Sequence, residues 1–285
     1  MNRQDFRLSH RLRVRWAEVD MQKIVFNAHY LMYFDTAITD YWRALGLPFE
    51  EAMHQLGGEL YVKKASVEYH GSAHFDDVLD LVMKCSRIGN SSLIFSGSIF
   101  RGAELLITCE LVYVFADPAS QTSRPVPQAL RRLIERFEAG ESVLEIKVGD
   151  WIALQQDLVK VRTTVFTQDQ GKVPATESDN VDNLALHAVA YNGLGQAVAT
   201  GRLSDFEAAL AKIERIEVHR ALRGSGVGRS LLQALIDAAK QRGHTEVTVH
   251  SPYSVKNFYQ RQGLVVRRDG FDVDGIPHVE MVRAL

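Results

Sequence analysis

Residues 27–45, NAHYLMYFDTAITDYWRAL, place apolar side chains at Tyr30, Tyr33, Phe34, Ala37, Ile38, Tyr41 and Leu45. That is helical spacing with a wide apolar face, and Gly46 and Pro48 end the run. Such a helix has to be largely buried. Ahead of it, Leu12, Val14 and Trp16 alternate as in a strand. After it come strand-like runs at 58–70, 78–88, 92–101 and 104–116, rich in Val, Ile, Leu, Phe and Tyr and separated by DD, GNSS and RG turns. A short helix, PQALRRLIERF, begins at Pro127. One helix followed by four consecutive strands predicts an antiparallel sheet wrapped around that helix, an α+β layer fold.

The patterning changes near 139–145. A strand, VLEIKV, leads into a helix, DWIALQQDLVKVRTTVF, with Asp150 as its N-cap. Strand signals follow at 184–191, 197–204 and 212–218, then a glycine-rich turn at 223–228 and a helix at 228–242 closed by Gly243. A strand, EVTVHS, a short helix around VKNFYQRQ and two terminal strands complete a mixed α/β sheet. The expected domains are 1–140 and 141–285, joined at about 138–142. A chain of 285 residues suits two domains of ordinary size.

Charge narrows the function classes. Lys and Arg number 33 against 35 Asp and Glu, a net charge of −2, which argues against a nucleic-acid-binding protein. Each predicted domain carries −1, so neither is a charged tail serving the other. No stretch reaches the roughly 18 apolar residues of a membrane span. The start, MNRQDFRLSH, lacks the apolar core of a signal peptide. Cys85 and Cys109 sit in strand-like runs and read as reduced core cysteines of a cytoplasmic protein. Two thiols without an HExxH-type helix give no zinc site, and His70 and His74 have poor metal spacing, so no metal is expected.

Two motifs carry chemistry. In the second half a strand ends at Val218, Arg223-Gly224-Ser225-Gly226-Val227-Gly228 turns, and a helix starts. Glycines let successive backbone N–H groups converge on an anion, and the helix dipole adds positive charge there. The GxxxxGK[ST] spacing is absent, and Leu231 stands where GxGxxG needs its third glycine. With Asn257-Phe258-Tyr259-Gln260-Arg261-Gln262-Gly263-Leu264 about 30 residues later, the segment resembles the GNAT family of acetyl-CoA-dependent N-acetyltransferases. The resemblance covers roughly 145–285. It implies that Val218, Arg223, Gly224, Ser225, Gly226, Val227, Gly228 and Asn257 bind CoA. It also implies that Tyr259 protonates the departing thiolate. A backbone N–H near Val218 can polarise the thioester carbonyl. Glu217 or His250 could serve as general base, though each reads more readily as structural, since strand-end polar groups are common. Leu264 stands where the family has Phe, and Asp169 where a subgroup has Glu.

In the first half, RVRWAEVDMQKIVFNAHYLMYFD resembles the hotdog-fold acyl-CoA thioesterases of the 4-hydroxybenzoyl-CoA thioesterase type, over about 6–137. Asp20, Val25, Tyr30 and Phe34 match that family's pattern. The resemblance implies that Asp20 is the catalytic carboxylate, acting as general base or as nucleophile. The N–H groups of the helix start near Phe26–Ala28 can stabilise the oxyanion. Lys23 stands where the pattern has glycine, and Asn27 where many members have His or Tyr. His29 reads as a helix-face histidine and Glu18 as a solvated loop charge. The combined expectation is a bifunctional enzyme. It would hydrolyse an acyl-CoA and transfer acetyl from acetyl-CoA to an amine, and it would be a homo-oligomer through the hotdog domain. The alternative makes one domain a non-catalytic acyl-CoA sensor or oligomerisation module.

Overall fold

The computed structural model describes residues 3–170, 180–207, 209–273 and 275–285, the side chains of 166–170 excepted. Its contacts divide the chain into two units, Met1–Val143 and Leu144–Leu285. The first holds β1 (Leu8–Arg13), α1 (Asn27–Ala44), α2 (Phe49–Leu56), β2 (Glu59–Tyr69), β3 (Val78–Ile88), β4 (Ser92–Arg101), β5 (Glu104–Ala116) and α3 (Gln128–Glu138). The strands form one antiparallel sheet in the order β1-β3-β4-β5-β2. This is the α+β hotdog arrangement, with α1 packed on the sheet.

Every position singled out by the helical spacing from Tyr30 to Leu45 is buried, Phe34, Ala37, Tyr41 and Leu45 completely. The burial is one-sided, however: Leu31 and Met32 remain exposed, so the sheet covers one face of α1 and does not enclose it. Tyr41 stacks edge-on against Phe95 and Phe137 at 5.1 and 5.2 Å. Its hydroxyl donates to Glu138 Oε1 at 2.6 Å, and the Cys85 N–H donates to the same oxygen at 2.8 Å. One carboxylate thereby ties the end of α3 to α1 and β3. Burial pushes both thiols, Cys85 and Cys109, up to about 12, so they are inert apolar fillers.

Two local expectations change. Trp16 lies in a single 3-10 turn and is 78% exposed; β1 ends at Arg13, because the chain must turn there toward α1. Pro48 stops α1 but also opens α2, a position where its missing N–H costs no helical hydrogen bond.

The second unit holds β6 (Leu144–Gly149), α4 (Trp151–Gln170), β7 (Leu186–Asn192), β8 (Ala197–Glu207), β9 (Leu210–Val218), α5 (Val227–Gln241), β10 (Glu246–Pro252), α6 (Lys256–Gln260), β11 (Val265–Val273) and β12 (Ile276–Ala284). The sheet order is β11-β12-β10-β9-β8-β7-β6. β9 and β10 pair in parallel and the other described pairs are antiparallel. This is the GNAT mixed α/β fold. Asp150 caps α4 as expected, its Oδ1 accepting from the Ala153 N–H at 2.9 Å. α5 buries Leu231, Leu232, Leu235 and Ile236 against Ala188, Ala190, Ala211 and Val247. Val189 alternates with its neighbours and instead meets Leu154 and Leu158 of α4, so the two helices cover opposite faces. Among the described residues no helix is long and apolar enough to cross a membrane.

In the first unit the approach of α1 to the sheet depends on Gly97 of β4. A Cβ there would lie 2.6 Å from Phe34 Cε1, and Phe34 is fully buried with nowhere to move. Gly97→Ala is expected to lower the unfolding free energy by about 1–3 kcal/mol, read from the midpoint of a urea titration.

Candidate functional sites

In the first unit Asp20 sits at the tip of a small hairpin. Val19 pairs with Val25, the Asp20 N–H donates to Ile24 O at 2.9 Å, and the Lys23 N–H returns to Asp20 O at 2.9 Å. Lys23 closes this turn at φ 64°, in the left-handed region, which is the physical reason for glycine at that position of the family pattern. The Phe26 N–H donates to Glu18 O at 2.9 Å, so the hairpin leads straight into α1. A further bridge, Ile24 to His74, and the Val25 N–H on Ala73 O at 2.8 Å fasten it to the segment before β3.

Asp20 is half-buried, and its Oδ1 accepts from the Gln22 N–H at 2.8 Å. α1 starts at Asn27, and its N-cap, Phe26, offers no side-chain acceptor. The N–H groups of Asn27 and Ala28 belong to the first turn, which has no intrahelical acceptors, and both residues are exposed. The hairpin thus joins a carboxylate and a helix start with open donors. His29 lies on the helix face against Phe26 and Met32.

Glu18 is not a solvated loop charge. It is 4% exposed, and its carboxylate accepts from the Tyr33 hydroxyl, the Arg15 N–H and Arg15 Nε, each at 2.7 Å. Burial alone would raise its pKa, but these donors and the Arg15 charge outweigh burial and hold it below the usual glutamate value. A folded-state pKa below the unfolded one gives stability that is present above the glutamate range and lost as the pH falls through the folded value. Glu18→Gln is therefore expected to cost about 2 kcal/mol near neutral pH. In denaturation curves taken at falling pH, the gap between variant and wild type should close in the acid range.

In the second unit β9 and β10 pair at Leu210–Glu246, Ala211–Val247 and Lys212–Thr248, where the ladder ends, although β9 runs on to Val218 and β10 to Pro252. β9 is bulged on its other side, where the register with β8 shifts between Thr200 and Arg202 and Arg215 takes φ 52°. A bulge bends and twists its strand, so β9 turns out of line with β10. Both strands are parallel and therefore end at the same edge. β9 leads into the glycine turn and β10 into Tyr253–Gln260, which brings the two separated motifs together.

The turn itself is well defined. Arg223 (φ −63°, ψ 140°) and Gly224 (φ 84°) are the central residues of a type II turn closed by the Ser225 N–H on Leu222 O at 3.2 Å. Gly226 is the N-cap of α5 at φ 96° and supplies no side-chain acceptor, so the first-turn N–H groups at Val227 and Gly228 stay open for an anion. At Gly228 a Cβ would stand 3.3 Å from Val218 Cγ2 and 3.6 Å from Phe258, so glycine lets α5 sit against β9 and α6. Two of the expected ligands are partly engaged within the chain. Ser225 Oγ donates to Leu222 O at 2.7 Å, and Arg223 Nε donates to Val218 O at 3.3 Å. Asn257 is exposed on α6. Tyr259 is 8% exposed, and burial pushes its hydroxyl up to about 12, so it carries its proton at neutral pH. The side chain of Asp169 lies outside the described residues.

The motifs gave no hint of a buried ionic network on the opposite face of this sheet. Arg162, fully buried, donates to both oxygens of Asp182 at 3.0 and 3.2 Å. Arg202 bridges Asp182 at 2.9 Å and Glu214 at 2.7 Å, and Lys212 also binds Glu214. The detectable signal was Arg162 itself, which follows Leu154 and Leu158 at core-facing spacing in α4. Asp182→Asn removes the carboxylate charge that both buried guanidinium groups share, leaving Arg202 with Glu214, and should lower stability by about 3–5 kcal/mol in a denaturant titration.

An acetyltransferase (GNAT) domain model matches residues 155–285, and a thioesterase-like superfamily model matches residues 14–134. The chain is 32% identical over 132 residues to the uncharacterized protein YyaT of Bacillus subtilis, covering 45% of this chain and 88% of that one. It is 31% identical over 129 residues to the uncharacterized N-acetyltransferase YjcF of the same organism, covering 45% and 91%. It is 25% identical over 120 residues to the acyl-CoA thioester hydrolase YbgC of Escherichia coli, covering 42% and 89%. Thioester hydrolysis and acetyl transfer, both on CoA thioesters, are the general chemistries of these two domain types. The chain belongs to the GNAT acetyltransferase family and carries, ahead of that domain, a thioesterase-like hotdog domain.

Proposed function

We propose that both domains are active: the first hydrolyses an acyl-CoA, and the second moves an acetyl group from acetyl-CoA to an amine. The observation that carries the second assignment is the Gly226 cap, whose open N–H groups lie where β9 and β10 part. The CoA pyrophosphate would rest on the turn Arg223–Gly228, with Asn257 nearby. The thioester would enter the gap between the strands, where a backbone N–H near Val218 polarises its carbonyl. Tyr259, proton-bearing at neutral pH, donates to the thiolate as the C–S bond breaks.

In the first domain Asp20 stands beside the start of α1. A thioester carbonyl placed on the Asn27 and Ala28 N–H groups would gain about 3 kcal/mol per donor as its oxygen becomes an oxyanion. Asp20 then either activates water or attacks the carbonyl itself. β2 lies at the sheet edge with Tyr61 and Val62 exposed, which suits pairing with a second copy of the chain. Cys85 and Cys109, both unpaired, suit the reducing cytoplasm.

The test is free-thiol release from a panel of acyl-CoAs with and without amines. Asp20→Asn should abolish amine-independent release and leave transfer intact, whereas Tyr259→Phe should cut transfer about 100-fold and leave hydrolysis intact. Unchanged hydrolysis in Asp20→Asn would refute the first assignment. Tight acyl-CoA binding by the first domain without turnover would make it a sensor.

A further inference from the structure

Ala211, Ile213, Val247, Val249, Val279 and Met281 pack with α5. The residues between them, among them Lys212, Thr248, His250, His278 and Glu280, therefore project from the other face of the sheet. On that face four rings form a row across β8, β10, β12 and β11. Centroids are 6.1 Å apart for Phe206 and His250, 5.3 Å for His250 and Phe271, and 5.9 Å for Phe271 and His278. Lys212 lies over the Phe206 ring at 5.6 Å and Arg268 over Phe271 at 5.5 Å. Phe206 is 46% exposed, and the other three rings are half-buried.

The row crosses the point where the strands part, because His250 lies two residues past Thr248, the last residue of β10 paired with β9. Two carboxylates on this face are already matched: Glu214 by Arg202 and Lys212, Glu280 by Arg267 and the Thr248 hydroxyl. Such a surface offers little to a polycation and much to a flat apolar group. The His250 imidazole touches Phe206 and Phe271 and makes no hydrogen bond among the described residues, so its nitrogens can take a proton. Burial first, then Lys212 and His278, lower its pKa, while Glu280 and Glu214 oppose them. It is neutral at neutral pH.

We propose that this row is the acceptor subsite, that the acceptor is a primary amine on a flat aromatic skeleton, and that His250 takes the proton that the attacking amine gives up. The proposal rests on the acetyl-transfer reading above. The neutral amine attacks the thioester carbon, forming the C–N bond and an oxyanion. The ammonium proton of that intermediate passes to an imidazole nitrogen of His250. The oxyanion re-forms the carbonyl, the C–S bond breaks, and the sulfur takes the Tyr259 hydroxyl proton. A proton returns through water from imidazolium to phenolate, leaving amide and free CoA.

The experiment uses the full chain with acetyl-CoA and three amines: 2-phenylethylamine, spermidine and glucosamine. Acetylated product is read by mass spectrometry and rate by thiol release. Phenylethylamine should have the highest kcat/KM. Phe206→Ala and Phe271→Leu should each raise its KM about tenfold with kcat and the KM for acetyl-CoA nearly unchanged. His250→Gln should lower kcat about 100-fold and remove the acid limb of the pH profile, without weakening CoA binding. Phe206 is half exposed, so its variant reads contact with the acceptor and not stability. Faster turnover of spermidine or glucosamine, with Phe206→Ala unaltered, overturns the acceptor class alone. A wild-type acid limb in His250→Gln overturns the proton-acceptor role. No acetylated product from any of the three amines overturns this proposal, and if CoA still binds it overturns the transfer reading too.

Discussion

The parting of β9 from β10 is the constraint on which the second domain's chemistry depends. Two parallel strands that stayed paired to their ends would satisfy one another's backbone groups and leave no room for a ligand. The ladder stops at Lys212–Thr248, and the bulge at Arg215 bends β9 away. Because the strands run the same way, the segments that follow them emerge on one edge. The glycine turn after Val218 and the tyrosine helix after Pro252 are thereby neighbours, although α5 separates them in sequence. Crevices at the carboxyl ends of diverging parallel strands are general ligand sites in α/β sheets for this reason.

Around both candidate sites, buried carboxylates organise the backbone. Glu18 gathers the Tyr33 hydroxyl and both kinds of Arg15 nitrogen, and the Glu18 carbonyl receives the N–H that introduces α1. Asp182 gathers Arg162 and Arg202, and Arg202 passes the chain of contacts to Glu214 and Lys212, beside Phe206. Burying charge in this way need not add net stability, but a half-made network is costly, and that cost penalises alternative arrangements of the same loops. Asp20 and the aromatic row stand next to these anchors.

The two helix starts are left uncapped by different residues. Gly226 opens α5 with a left-handed cap and no side chain, while Phe26 opens α1 with a side chain that cannot accept a hydrogen bond. Either way the first-turn donors have no side-chain cap. A serine or aspartate at either position would occupy them. Under the proposed function, a chain of net charge −2 would hold its polyanionic substrate in this way: the positive potential comes from backbone, locally, and is invisible in composition.

Much of the fold was legible because it follows from local rules. The helical spacing of Tyr30 to Tyr41, the alternation in the strands from 59 to 116, the Asp150 cap and the glycines at 224, 226 and 228 each act within a few residues, where sterics and periodicity leave few choices. The burial of Glu18 was not legible, because it depends on Tyr33 reaching back to it from α1, 15 residues on. Arg162 and Asp182 went unseen, since they lie far apart in sequence and neither has a motif. Phe206, His250, Phe271 and His278 form a row only once four strands lie in order. The sequence by itself determined which residues turn, cap and bury, because those are local properties of side chain and backbone. Tertiary structure alone decided which polar groups meet and where the sheet opens, because desolvation and strand register depend on partners distant in the chain.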